Sequence, residues 1–200
     1  MIQSYPSGSG NMTAMPRVLG IDSSLTATGL ARIDIGEHDG DRWRAVIATA
    51  TVSAPKPTKD KSKRAMVRRV NALLDQIEPA FEGVDAVGIE NLAFAAKGEN
   101  AWVLPWIFGR VLELCERHGT PVTVVGTSQR AKFTVGKGSG PGTDKDHILA
   151  AAIKLFPEAD LASNNEADAL MVGAATCQRL QRPILPVTQY RLEVVDKLSD

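Results

Sequence analysis

Four acids stand where a carboxylate could do chemistry. Asp22 follows the apolar run Val18, Leu19, Gly20 and Ile21, Glu90 ends the short apolar stretch that begins at Asp85, and Glu166 and Asp168 open a helical pattern near the end of the chain. One acid at a strand end or in the first turn of a helix is ordinarily a cap or a dipole partner. Several gathered at the ends of buried elements would lose hydration and repel one another, which calls for a cation between them. No His or Cys stands at a ligand spacing beside them, and a donor set of oxygen alone favours Mg²⁺ or Mn²⁺ over zinc. Two such ions, about 3.5 to 4 Å apart, could activate water and stabilise the leaving oxygen in phosphodiester hydrolysis.

The elements that must hold these acids are legible in outline. Arg17 to Ile21, Gly29 to Ile35 and Trp43 to Val52 read as an antiparallel meander of three strands, with a turn from Asp22 to Thr28. A helix is predicted from about Ser62 to Ala80, because Met66, Val67, Val70, Leu74 and Ile77 recur at three- and four-residue steps. Asp85 to Glu90 reads as a fourth strand. A second helix runs to about Arg117 on Val103, Ile107, Val111 and Leu114, with Pro105 at its start or at a kink. Pro121 to Val125 is a fifth, buried strand, and Ser128 to Phe133 a short amphipathic piece. The glycine-rich loop Gly136 to Gly142 follows. Thr143 can cap a helix through Phe156, and Asn164 or Asn165 another through Arg179. The sum is an α/β architecture with a mixed sheet of about five strands flanked by helices. Residues 1–16 read as a loose leader, 17–180 as one domain and 181–200 as a tail without a clear signal.

Composition narrows the setting. The 200 residues are 44% hydrophobic, enough for one core, and 23 basic residues balance 23 acidic ones. Any nucleic-acid surface must therefore come from local clustering, of which Lys56, Lys59, Lys61, Lys63, Arg64, Arg68 and Arg69 are the clearest case. A charge run of this kind is otherwise a solvated face. Cys115 and Cys177 form no metal or disulfide pattern, no stretch is apolar enough to span a membrane, and the expected setting is a reducing cytoplasm.

In their order, four motifs resemble those of the RuvC-type Holliday-junction resolvases. Val18 to Ser24 with Thr28 and Gly29 is similar to the family's first acidic motif, and Ile89, Glu90 and Asn91 to its second. Lys132 to Gly138, with Asp144 and Lys145, resembles its lysine-bearing region, and Glu166 to Leu170 its closing acidic helix. The likeness spans about residues 17 to 180. It implies a ribonuclease H-like fold, a homodimer, Mg²⁺ or Mn²⁺ with two ions per site, and paired nicks across a four-way DNA junction. Asp22, Glu90 and Asp168 would then be metal-binding carboxylates, with Lys145 beside the scissile phosphate and Lys132 and Lys137 on DNA. A lysine near a helix amino end is unfavourable unless an anion is close, and a phosphate would supply one.

The pattern departs from the family at one place. Two acids three residues apart are usual in the last helix, and here Asn165 stands three before Asp168. Direction favours Asn165 as the fourth ligand, since Glu166 is about 200° around the helix from Asp168. Charge favours Glu166, and Asp146 is an outsider that fits a first turn. Phe94 stands one position from the family's aromatic residue and could stack on an opened junction or belong to the core, and Lys97 shares its loop. Trp102 and Trp106 read as core or dimer contacts, and Gly109 as a place where helices could approach closely. Two rivals stand beside this reading. One is a branched-DNA-binding protein that does not cleave, because an expected acid is Asn165. The other is an actin-like or sugar-kinase-type phosphotransferase, suggested by Gly20 to Ser24. The latter needs a second such domain, for which the length leaves no room, and Gly136, Lys137 and Gly138 lack the Ser or Thr that follows a P-loop lysine.

Overall fold

Alternation in the first strand sets the architecture. In β1 (Arg17–Asp22) Leu19 and Ile21 point to one side of the sheet and Val18 and Gly20 to the other, and a strand apolar on both faces must be covered twice. The computed structural model, which describes residues 15–92 and 100–200, covers it twice. The further strands are β2 (Thr28–Asp39), β3 (Arg42–Val52), β4 (Ala86–Glu90) and β5 (Val122–Val125), in the order β3-β2-β1-β4-β5. β1 pairs with β2 antiparallel and with β4 parallel, β2 with β3 antiparallel, and β4 with β5 parallel. Therefore β1, β3, β4 and β5 all end at one edge of the sheet. Five strands in mixed directions are what the sequence predicts, with β2 extending four residues further toward its hairpin.

Among the described residues six α-helices flank this sheet. α1 (Lys63–Ile77), which continues into a 3₁₀ turn (Glu78–Phe81), and α2 (Val103–Arg117) cover one face, where Val70, Leu73, Ile77, Ile107 and Val111 bury Leu19, Ile21, Val87 and Ile89. Pro105 sits in the first turn of α2, where its missing N–H has no intrahelical partner to lose. Among the described residues nothing lies within 4 Å of a Cβ placed on Gly109, so the close helix approach expected there is not made by any of them.

The other face carries α3 (Thr127–Val135), α4 (Lys145–Leu155), α5 (Asn164–Arg179) and α6 (Gln189–Val195). α5 is the central element: every residue from Glu166 to Gln178 is buried. Burying side chains such as Leu170, Met171 and Val172 contributes roughly 1.5 to 3 kcal/mol each as an upper figure. Two caps differ from the expected ones. Ser163, not Asn164 or Asn165, caps α5 by accepting the Glu166 N–H at 3.2 Å. Asp144, not Thr143, caps α4 by accepting the His147 N–H at 3.2 Å, because the Thr143 hydroxyl donates instead to the Gly140 carbonyl at 2.7 Å.

The residues after 180 are tied into the same body. The Trp43 N–H donates to the Pro183 carbonyl at 2.7 Å, Ile184, Leu185 and Val194 are buried, and Arg191 donates to the Phe133 and Pro186 carbonyls. The leader proposed for residues 1–16 lies outside the described residues except for Met15 and Pro16. Cys115 and Cys177 are free, buried thiols, and burial pushes Cys115 up to about 11 and Cys177 higher still, so both stay protonated and unreactive. Among the described residues no helix is long and apolar enough to cross a membrane.

Candidate metal centre

Strand register brings the first two acids together. Ile21 of β1 faces Ile89 of β4 across a parallel pair, so Asp22 and Glu90 are the next residue of each strand, side by side where both strands end. Their side chains leave on the α5 face, the face to which Gly20 and Gly88 also belong. Here two glycines let α5 lie directly on the sheet: a Cβ on Gly20 would stand 2.0 Å from the Ala169 carbonyl oxygen, and one on Gly29 would stand 2.0 Å from that of Asn165. With α5 pressed down on both sides of Asp168, its carboxylate arrives beside the other two.

Ligand atoms of Asp22, Glu90 and Asp168 lie within 4.8 Å of one another. Glu90 is 9% exposed and Asp168 only 2%. Burial pushes Asp22 up to about 7, and Glu90 adds to this by its charge and a hydrogen bond, while Arg130 and Lys145 act against it. Three partly dehydrated carboxylates at this spacing are what a divalent cation neutralises, and an oxygen-only donor set fits Mg²⁺ or Mn²⁺. The cluster therefore fits such an ion.

A cation of the chain itself already touches this cluster. Arg130, 6% exposed on α3, donates from Nε to Glu90 Oε1 at 3.1 Å and from Nη1 to Asp168 Oδ1. Sequence reading missed it, although Arg130 shares a helix face with Phe133 and Thr134 at three- and four-residue steps. An arginine on the buried side of an amphipathic piece needs an acid, and that was the available signal.

The acids open into a cleft of about 280 Å³ lined also by Ser23, Ser24, Asn91, Thr127, Lys145 and Asn165. Lys145 is exposed in the first turn of α4, and the site edge also receives the amino ends of α3 and α5, where backbone N–H groups favour an anion. At the base of the first turn Thr28 exchanges hydrogen bonds with Ser24, accepting its N–H at 3.0 Å and donating to its carbonyl at 2.5 Å. This fixes the loop just beyond Asp22.

The two options for a fourth ligand part company. Asn165 lines the cleft, as its direction from Asp168 requires. Glu166 turns toward β3 instead: its carboxylate accepts from Thr51 at 2.8 Å and from the Ala162 N–H at 2.9 Å, with Thr49 at 3.4 Å. Asp146 is exposed in the first turn of α4. Lys132 is not brought to the cleft, since its Nζ pairs with Glu193 of α6 at 2.6 Å. Lys137 is exposed in the glycine-rich loop. Phe94 and Lys97 lie outside the described residues. The basic run leaves β3 at the same sheet edge as Asp22, where the Ala54 N–H donates to the Leu25 carbonyl at 3.0 Å; within it Arg68 pairs with Asp60 at 2.7 Å and Arg69 donates to Pro55. Trp102 and Trp106 pack on one another with ring centroids 5.6 Å apart at the start of α2.

Solved structures share this fold. Thermus thermophilus RuvC superposes with a TM-score of 0.59 at 22% identity, covering 86% of this chain and 99% of that one. The fold is that of the RuvC-type resolvases. The same RuvC in complex with a Holliday junction substrate gives 0.57 at 20% identity, with the same coverage. A fowlpox virus resolvase bound to its Holliday junction DNA gives 0.51 at 13% identity over 82% of this chain and 98% of that one. The yeast mitochondrial Holliday junction resolvase Ydc2 gives 0.50 at 13% identity. No family model matches the sequence, and no curated protein does. The acids meet at the edge of the sheet where β1 and β4 end.

Proposed function

We propose that this chain is a metal-dependent endonuclease that resolves four-way DNA junctions. The observation that carries the reading is the convergence of Asp22, Glu90 and Asp168, from three separate parts of the chain, into one group within 4.8 Å. Buried carboxylates so close are destabilising alone and become a site once a cation is bound. The fold shared with resolvases, two of them seen with junction DNA, supports the choice of substrate.

In this reading Asp22, Glu90 and Asp168 hold Mg²⁺ or Mn²⁺, with the side-chain oxygen of Asn165 as the fourth donor. The bound ions, two per site, would supply an activated water and stabilise the charge on the leaving oxygen. Lys145, exposed at the cleft mouth, holds the scissile phosphate, and the amino ends of α3 and α5 orient it. The basic run from Lys56 to Arg69 follows the backbone away from the cut. Lys137 and Lys97 add further phosphate contacts, and Phe94 stacks on the opened junction. Two copies related by a two-fold axis place two such centres on a two-fold junction.

A synthetic four-way junction tests this. Wild-type protein with Mg²⁺ or Mn²⁺ should nick it, and should leave a linear duplex of the same length intact. Asp22→Asn should lose nicking by a factor on the order of 10³ or more while junction binding in gel shifts survives. Nicking by Asp22→Asn at the wild-type rate sinks the metal assignment. Junction binding by wild type without any nicking would favour the alternative of a branched-DNA-binding protein, for which the neutral Asn165 is the specific observation.

A further inference from the structure

We infer that Arg130 is a built-in counter-cation of the metal centre, competing with the divalent ion for Glu90 and Asp168 and leaving them when the ion enters. The inference rests on the reading of Asp22, Glu90 and Asp168 as metal ligands. Its own observation is different: a guanidinium 6% exposed, held by Glu90 at 3.1 Å and by Asp168, two of the three acids the metal would use.

An arginine keeps its proton under all relevant conditions, so this positive charge is permanent. In the metal-free protein it offsets part of the repulsion among three crowded carboxylates. Once a divalent ion binds the same two groups, two cations share one buried set of oxygens, and the repulsion between the cations offsets part of the attraction of each to the carboxylates. The ion carries twice the charge and binds oxygens more closely, so the guanidinium is the partner that yields. It has somewhere to go. Arg130 borders the same cleft as Lys145 and Thr127, and a DNA phosphate there would be its next anion. Asn165 brings no charge to the cleft, which makes the competition sharper, because three carboxylates must satisfy both cations. A centre of this kind holds metal weakly when free and firmly once DNA accepts the arginine.

The rival role for Arg130 is a fixed clamp that orients two carboxylates while their other oxygens take the metal, and it predicts the opposite sign. Manganese titration of the whole chain without DNA, read by electron paramagnetic resonance of free Mn²⁺, separates them. Arg130→Gln should bind Mn²⁺ roughly tenfold or more tightly than wild type, and should show a larger rise in Tm on adding Mn²⁺. Arg130→Lys, which keeps the charge but as a single point on a shorter side chain without the guanidinium fork, should fall between. Equal or weaker binding by Arg130→Gln overturns the inference and leaves the nuclease reading standing. No Mn²⁺ binding by either folded protein overturns both.

If Arg130→Gln does not fold without metal, the wild-type protein supplies the measurement. The Arg130 Nε–H should give a solvent-protected ¹⁵N resonance in EDTA, assigned by its absence from Arg130→Lys. Saturating Mg²⁺ should remove that protection. A resonance that persists unchanged while other site signals shift shows that the arginine stays, and the inference fails.

Discussion

At the scale of single residues, Asp22 has two consequences that can be measured separately. Its carboxyl is pushed up to about 7 by burial and by Glu90, from an ordinary 3.8. A folded-state value above the unfolded one means that the folded protein holds the extra proton, so in metal-free protein this group lowers stability as pH rises from about 4 to about 7. Asp22→Asn should remove that slope, leaving the variant more stable than wild type by on the order of 2 kcal/mol at pH 8 in EDTA, after allowance for solvent at the cleft. Saturating Mg²⁺ should reverse the order, since only wild type gains the ion's full binding free energy. Urea melts at pH 5 and pH 8, with and without Mg²⁺, give the four values needed; a variant no more stable than wild type at pH 8 in EDTA contradicts the account of Asp22. The three principal acids were legible because each ends an apolar run or opens a capped helix. Arg130 was legible only in part, because its place on the face of Phe133 and Thr134 marks it as buried while the acids it meets come from β4 and α5, which only packing brings together.

Elements decide whether those residues meet. α5 lies on the sheet without side chains between them at Gly20 and Gly29, and its own first turn is held by Ser163 and by Glu166 bound to Thr51 and Ala162. Glu166 thus works as a strut from α5 to β3, which explains a buried carboxylate outside the metal group. Gly20→Ala would drive a methyl to within 2.0 Å of the Ala169 carbonyl oxygen and 2.8 Å of the Gly173 nitrogen, both backbone atoms that cannot turn aside. The expected loss is about 3 kcal/mol or more in a denaturant melt, with a smaller Mg²⁺-induced stabilisation because Asp168 moves with the helix. Ser163→Ala removes only a cap and should cost about 1 kcal/mol, leaving the Mg²⁺ effect unchanged. If the two variants lose the same stability and respond alike to Mg²⁺, close helix-on-sheet approach is not what places Asp168. Strand and helix identities follow from periods of two and of three to four, which the sequence carries plainly. The exact caps did not follow, since Thr143 and Asn164 are as good on paper as Asp144 and Ser163, and the choice is made by loop hydrogen bonds such as that of Thr143 to Gly140. α6 was illegible for a related reason: a seven-residue helix has little periodicity of its own and is held by contacts to distant residues such as Phe133.

For the molecule as a whole, the sheet order explains why the chemistry gathers at one edge. Four of five strands run in one direction, so their ends, the amino ends of the helices that follow them and the basic run after β3 all open on the same side. Among the described residues one acidic group of this kind exists per chain. Resolving a four-way junction takes two cuts, so the proposed activity requires two chains acting on one substrate. A cruciform plasmid makes this quantitative. Wild type should convert it to linear product, because both cuts fall before the complex leaves. Wild type mixed and co-refolded with an excess of Asp22→Asn places most active chains beside an inactive one, and those pairs should yield nicked circles in proportion to their share. If each chain instead acts alone, the inactive partner changes only the rate, and the ratio of linear to nicked product stays that of wild type at equal extent of reaction. The product ratio, rather than the overall rate, therefore separates a paired enzyme from a solitary one.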